Sequence, residues 1–422
     1  MISEEMRDHN LAMMLGCLSD GKGHSRSNLA QETGLAPSSI TALAKELTNA
    51  GLVRTVAASD TARPILGRRK EQLFLNGDEY AVIAIELQLD GAHTTVMNLT
   101  GDVLDDTFDA RDFRNSVPED FAACAAHVIA RAMERMDEWG MTSIPAVGLV
   151  IPGPILEDRA TVYAALDFGW KDPCDLRSAT MERLAELLKI HAPAISRRLP
   201  EIVVLNDARS AAWAEYRHLC DEEPQNPPRN VMYITETGGI GGTVIINGKV
   251  YEGSRGMAFI PGHISVDPNG ALCGCGQRGC VSTIVGVAPL LEAVGMAGYD
   301  KQVGLHKAFD ELMRREQAGD PAVCAAFRRA DAAFRTLLDA MCISFAPDAV
   351  ILGGFLARRI DINKQSGLCA TAMLGLGRDD AKGLDAIHPD YYRDKAIRAG
   401  ALMLMRERTI NALPRLLRGE EW

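Results

Sequence analysis

The chain is 422 residues long, more than one hydrophobic core comfortably serves, so two or three domains are expected. Hydrophobic residues at 47% and charged residues at 24% give the balance of a soluble globular protein. The net charge of −11 speaks against a chain that coats nucleic acid, and the most apolar run, Ile144 to Leu156, is too short to span a bilayer and holds three prolines.

The opening stretch, MISEEMRDHN, carries no apolar signal core, so a cytoplasmic location with no membrane partner is expected. The charge is unevenly spread. Residues 1–77 carry nine Lys/Arg against eight acidic side chains, and the remainder holds 36 against 48. A near-neutral head on an acidic body permits local DNA contact. Of ten cysteines only Cys273, Cys275 and Cys280 cluster. Others, such as Cys124 and Cys342, fall in apolar helical patterns where a thiol packs as a small hydrophobe, and no disulfide framework is expected.

Leu11, Met14, Leu15 and Leu18 mark one face of a first helix, which stops at Asp20-Gly21-Lys22-Gly23. Ser25 caps a short second helix through Leu29 and Ala30 that ends at Thr33-Gly34. Pro37 opens a third, with Ile40, Leu43, Ala44 and Leu47 on its apolar face. Two short strands follow, Leu52–Val56 and Glu71–Leu75, joined by a basic connection with Arg63, Gly67, Arg68, Arg69 and Lys70. That order is a winged helix-turn-helix. Ser38, Ser39, Thr41 and Lys45 lie on the outer side of the third helix, where they can bond base edges or phosphates, while Arg68 and Arg69 reach the backbone or minor groove. The alternative is a helical interaction module with a surface hairpin. Ala36 is a poor cap for a recognition helix.

From Tyr80 the pattern changes to strand-and-loop units. Ala81–Leu87 and Thr94–Leu99 read as strands, Pro118–Trp139 as a helix, and Ala146–Ile151 as a buried strand ending in Pro152-Gly153-Pro154. Ile202–Leu205 ends in Asn206-Asp207 and leads into a helix, Ala208–Leu219. Val231–Thr235 and Thr243–Ile246 flank a glycine-rich turn from Thr237 to Thr243, and Ala349–Leu352 runs into Gly353-Gly354 and a helix. Polar or glycine residues at strand ends are where open α/β sheets bind ligands.

His263, Cys273, Cys275 and Cys280 offer the Cys3His ligand set of structural zinc, and the glycines between them allow a tight loop. A merely buried or oxidised cysteine cluster is the alternative. No ligand position is left open, so the zinc is expected to be structural.

Gly262-His263-Ile264-Ser265-Val266 followed by Cys273-Gly274-Cys275-Gly276-Gln277-Arg278-Gly279-Cys280 resembles the G-H-x-x-V…C-x-C-G-x-x-G-C signature of the ROK family of repressors and sugar kinases. Pro152-Gly153-Pro154, Leu205-Asn206-Asp207-Ala208, the glycine turn and Val350-Ile351-Leu352-Gly353-Gly354 extend the likeness over nearly the whole chain. The winged head, with Gly67-Arg68 near the end of the wing, is similar to the regulator branch, although Arg69 replaces its usual proline.

The resemblance implies an α/β protein with an actin/hexokinase-like, two-lobed sensor behind the winged head. Residues 1–77 would bind DNA and 78–200 form a first lobe to which a helix in 391–422 returns. Residues 201–390 would form a second lobe with the zinc loop and a dimerisation surface. It implies zinc on the four ligands, and it puts Asp207 at the catalytic base and Asn206 at a sugar ligand, although Asn206-Asp207 also reads as a helix cap.

The first phosphate loop of the active kinases corresponds to Glu86-Leu87-Gln88-Leu89-Asp90, where both glycines are lost and Asp90 would repel phosphate. In the second loop Gly238 replaces a threonine. Two sugar-binding glutamates are replaced by Ile260 and Ser282, and Asp167 is the nearest counterpart of a sugar-binding asparagine. Asn206, Asp207, His263, Gly153 and Asp167 therefore remain as effector-binding candidates, with Asp207 a vestigial base.

The function this implies is a DNA-binding transcription regulator, a repressor of carbohydrate genes, without kinase activity. Its partners would be a double-stranded operator, a sugar or sugar-phosphate effector, and further copies of itself as a homodimer or dimer of dimers. An ATP-dependent sugar kinase and a ligand-independent DNA-binding protein are the alternatives.

Overall fold

A computed structural model describes residues 2–57, 71–191, 199–359, 387–416 and 420. The wing tip, with Arg63, Gly67, Arg68, Arg69 and Lys70, lies outside the described residues. The chain packs as two compact units, Met1–Asn206 with Ala401–Trp422, and Asp207–Gly400.

The first unit begins with α1 (Ile2–Leu18), α2 (Arg26–Thr33) and α3 (Pro37–Asn49), then β1 (Val53–Ala57) paired antiparallel with β2 (Glu71–Leu75). Leu11, Met14, Leu15 and Leu18 of α1 meet Leu29 of α2 and Ile40, Leu43, Ala44 and Leu47 of α3, all buried. Burying each leucine contributes about 1.5–3 kcal/mol, so this small core holds the three helices together. The Ser25 side chain accepts the Asn28 N–H at 3.1 Å, and α2 ends on Gly34 in the left-handed conformation. Pro37 starts α3 without any cap from Ala36. His24 exchanges both backbone hydrogen bonds with Leu73, fastening the first turn onto the wing.

The same unit continues with β3 (Tyr80–Gln88), β4 (Gly91–Asn98), β5 (Val103–Ala110), α4 (Pro118–Glu134), β6 (Ser143–Ile151), a small pair β7 (Thr161–Val162) and β8 (Cys174–Asp175), α5 (Leu176–His191) and β9 (Glu201–Asn206). The sheet runs β5-β4-β3-β6-β9, antiparallel across β5, β4 and β3 and parallel from β3 to β9. Ile83, Ile85, Val147, Leu149 and Val204 join Phe121, Ile129 and Leu184 of α4 and α5 in one buried cluster. β4 begins three residues before the expected Thr94, because β3 and β4 close through a two-residue turn, and β5 is an edge strand too polar for its periodicity to signal. α4 ends at Glu134, short of the expected Trp139.

The second unit comprises α6 (Asp207–Glu222), β10 (Val231–Glu236), β11 (Ile240–Ile246), β12 (Lys249–Val250), α7 (Val287–Ala293), α8 (Tyr299–Val303), α9 (Leu305–Gln317), α10 (Pro321–Phe345), β13 (Ala349–Gly354) and β14 (Ile387–Pro389). The sheet order is β12-β11-β10-β13-β14, with β13 parallel to both neighbours. Alternation along the strands gives it two buried faces. Met232, Ile234, Val350 and Leu352 pack with α7, α9 and α10, and Val231, Tyr233 and Ile351 pack with α6. The glycine turn shrinks to residues 237–239, since Gly241 and Gly242 sit inside β11. A β-carbon on Gly242 would stand 3.0 Å from the Phe259 ring, so glycine serves close packing there rather than an open loop.

A last helix, α11 (Ala396–Leu416), follows β14. Its residues from Ala401 onward belong to the first unit, where buried Met405 packs beside Gly148 of β6.

Candidate effector site and metal centre

His263 ends a 3-10 turn, Pro261–His263, and the three cysteines sit on the loop that follows. Short backbone bonds fold that loop on itself: Val266 N–H to Gly279 O at 2.9 Å, and Cys273 N–H to Gln277 O at 2.7 Å. Gly279 has φ +63°, and a β-carbon there would overlap the Asp267 carbonyl, so no other residue fits the bend. Cys273 Sγ lies 3.4 Å from His263 Nδ1 and Cys275 Sγ 3.5 Å from Cys280 Sγ. The four ligand atoms all lie within 4.8 Å of one another, which lets them hold one metal ion. Burial and the two neighbouring thiols push the Cys280 thiol up to about 12, whereas a backbone N–H from Gln277 draws the exposed Cys275 thiol down. A metal ion held among the four would bind the cysteines as thiolates, releasing their protons.

β9 ends on Asn206, whose Nδ2 donates to the Gly153 carbonyl at 2.9 Å, so these two candidates meet in the first unit. Asp167, also in the first unit, stands exposed on the turn Leu166–Phe168. Asp207, in the second unit, opens α6, and its carboxylate accepts the Ala208 N–H at 2.7 Å. Two residues on, Arg209 donates to the carbonyl of Gly256 at 2.6 Å, tying the first turn of α6 to the loop before the metal site. That loop holds Arg255 and Phe259 at φ +60°, a left-handed conformation costly for side-chain-bearing residues. Ile260, next along, is 41% exposed.

In the two turns that the family resemblance aligns with phosphate loops, several backbone and carboxylate groups already have partners within the protein. At Leu89-Asp90 both carbonyls accept backbone N–H groups, from Phe113 at 2.9 Å and Arg111 at 3.0 Å, and Gln88 bonds the buried Glu86. Gly238 N–H donates to Glu236 Oε1 at 3.2 Å, and Val287 N–H donates to the same carboxylate. Burial pushes Glu236 up to about 7. Gly354 N–H donates to Asp390 Oδ2 at 3.1 Å, and burial raises the Asp390 carboxyl as well. Behind them, Glu215 accepts the Tyr391 and Tyr392 N–H groups at 2.7 and 2.8 Å and is pushed by burial up to about 7. Sequence reasoning missed all three carboxylates. Only Glu236 left a trace, as a lone acid closing an apolar strand.

In the head, Ser38, Thr41 and Lys45 are exposed on the face of α3 opposite its buried residues, with Ser39 at the edge of that face. Thr41 Oγ1 donates back to the Pro37 carbonyl at 2.9 Å. Arg68 and Arg69 lie outside the described residues.

Comparison with known proteins places this geometry. The model of the ROK family matches residues 82–407. N-acetylmannosamine kinases of Yersinia pestis and Yersinia pseudotuberculosis are 39% identical over 153 residues, 36% of this chain and 49% of theirs. The chain thus spans about half the length of the curated relatives it matches. Among solved structures, a ROK family transcriptional regulator, a homologue of the E. coli MLC protein, superposes with a TM-score of 0.72 at 20% identity over 98% of both chains. A ROK family glucokinase from Streptomyces griseus, solved with glucose and AMPPNP, gives 0.56 at 25% identity over 78% of this chain and 99% of its own. The α/β, actin/hexokinase-like body behind a helical N-terminal head is the fold these neighbours share with it in whole or in part. The chain belongs to the ROK family.

Proposed function

We propose that the protein is a DNA-binding transcription regulator, a repressor of carbohydrate-metabolism genes, whose kinase-like body binds a sugar or sugar derivative without phosphorylating it. The observation that carries this reading is the winged head: a helix-turn-helix with Ser38, Thr41 and Lys45 exposed along one face of α3. The regulator structure covers 98% of this chain, whereas the glucokinase covers 78% and is itself covered almost entirely, so the extra length goes with the regulator. The partners are a double-stranded operator and further copies of the chain, as a homodimer or dimer of dimers. A structural zinc on His263, Cys273, Cys275 and Cys280 holds the loop after the strained segment.

The internal carboxylates support the loss of phosphoryl transfer. ATP phosphates would have to displace Glu236 from the Gly238 N–H and then sit beside it. Two unit charges about 4 Å apart repel by about 4 kcal/mol at an effective dielectric of about 20. Phosphoryl transfer rests on neutralising phosphate charge, so these groups work against it. Binding a neutral polyol asks only for hydrogen-bond partners, and Asn206, already bonded to the Gly153 carbonyl, offers one in the first unit. No helix among the described residues is long and apolar enough to cross a membrane, which suits the cytoplasmic location proposed for a regulator.

A second reading, an ATP-dependent sugar kinase, is favoured by the likeness to N-acetylmannosamine kinases and by the retained Asp207. A coupled assay with ATP over a sugar panel that includes N-acetylmannosamine separates the two. The expected result is no turnover above background, together with calorimetric binding of at least one sugar or sugar phosphate that Asp207→Ala weakens. Turnover abolished by Asp207→Ala would establish the kinase instead.

A further inference from the structure

The loop that gathers the candidate metal ligands does not hold its three cysteines alike. Cys273 and Cys280 are buried, at 8% and 0% exposure, whereas Cys275 is exposed. Residues 272–278 form a tight hairpin. Leu272 pairs antiparallel with Arg278, Cys273 N–H donates to Gln277 O at 2.7 Å, and Gly276 N–H donates to Cys273 O at 2.9 Å. Cys275 stands at its tip. Glycine flanks it on both sides, with Gly276 at φ +90°, and a β-carbon on either glycine would meet no atom within 4 Å, so the tip has room to move.

Cys280 is anchored. It pairs with Ser265 across the loop, follows the bend at Gly279, and its Sγ donates to the His263 carbonyl at 3.4 Å. The exposed Cys275 Sγ lies 3.5 Å from this buried Cys280 Sγ. A disulfide needs about 2.05 Å between its sulfurs, so a shift of about 1.5 Å by the tip closes the gap. Cys273 is the weaker partner, because its Sγ faces His263 Nδ1 at 3.4 Å and it shares the hairpin with Cys275. An accessible thiolate beside a sheltered second one is the arrangement of oxidant-sensing cysteines.

We propose that Cys275 is a site of reversible oxidation by hydrogen peroxide, resolved by Cys280, and that forming this disulfide releases the metal. The Cys275 thiolate attacks one peroxide oxygen, the O–O bond breaks and hydroxide leaves, which gives a sulfenic acid. The Cys280 thiolate then attacks that sulfur and expels a second hydroxide, leaving the disulfide. Two electrons pass from the sulfurs to the peroxide, and the two hydroxides take up protons as water. His263 and Cys273 are the ligands that remain, too few for a four-coordinate structural ion. A thiol reductant restores both cysteines by exchange. The inference rests on the proposed zinc site and gives its exposed ligand a second role.

The test starts from full-length, zinc-loaded protein treated with hydrogen peroxide. A chelating dye follows released zinc, and peptide mapping after thiol blocking locates the disulfide. Trypsin cuts after Arg278 and so separates Cys280 from the other two cysteines. Wild type should release its zinc as a peptide pair linked through Cys275 and Cys280 appears, and dithiothreitol with added zinc should reverse both changes. Cys275→His keeps four ligands in a Cys2His2 set but removes the attacking thiol, so it should hold its zinc at the peroxide dose that empties wild type. Zinc retained by treated wild type, release without a Cys275–Cys280 link, or release from Cys275→His at the same dose would overturn the proposal. Wild type that takes up no zinc would overturn the metal centre along with it, and the zinc content before treatment tells these failures apart.

Discussion

His263, Cys273, Cys275 and Cys280 stand within eighteen consecutive residues, and their spacing alone put them forward as one ligand set. The buried carboxylates lie at the other extreme. Glu215 meets its partners 176 and 177 residues downstream, and Gly354 meets Asp390 36 residues on, separations at which no local pattern carries information. Two predictions belong at this scale. Protein purified without added metal should contain one zinc per chain, and Cys275→Ser should lose it and unfold at a lower temperature, because ligand loss removes folding free energy. Metal analysis with a thermal melt checks this; a full-stability Cys275→Ser would count against it. The second concerns Glu215, whose carboxyl rises from its ordinary range to about 7 on folding. A raised pKa means the folded state holds the proton more tightly, so the stability this group contributes is present below about pH 4.5 and is lost as pH rises through about 7. Glu215→Gln should therefore lose less stability than wild type between about pH 5 and pH 8. Parallel denaturation curves for the two proteins across that window would refute the assignment.

At the scale of elements, helices with a buried stripe were legible because periodicity and burial coincide: all four apolar positions read on α1 and on α3 are buried. β5 was not, because its outward, acidic residues carry no apolar alternation. The glycine turn was read too long, since close packing on β11 and a loop conformation use the same residue. α3 carries its own prediction. Lys45→Ala should weaken binding to a specific operator by about 1–3 kcal/mol if the side chain reads a base, and by less if it touches only phosphate. Titration of operator and non-specific DNA separates these outcomes.

A contact that sequence could not suggest joins three segments of the first unit. Arg406 of α11 donates to the Leu99 carbonyl at 2.6 Å and to the Ser19 carbonyl just past the end of α1. A guanidinium is favourable at a helix C-terminus, where unpaired carbonyls collect negative charge. Arg406→Ala should loosen the head from the body, seen as faster hydrogen exchange around residues 16–22 with the β3 and β6 amides unchanged. Unchanged exchange at both places would show that the contact holds nothing.

For the whole molecule, length pointed to two or three domains and the chain packs as two compact units, while the uneven charge left room for a DNA-reading head on an acidic body. What composition could not reveal is that the helical head and the first sheet pack within one unit, because such docking depends on a few backbone contacts such as those of Arg406 with Ser19 and Leu99. The central claim is that this ROK protein is a sequence-specific DNA-binding regulator. Selection of genomic fragments by the full-length, metal-loaded protein tests it most directly, with Lys45→Ala run in parallel. The account predicts enrichment of fragments sharing one two-fold symmetric sequence, with the enrichment lost in Lys45→Ala; fragments with no common sequence, or equal enrichment by both proteins, would contradict it.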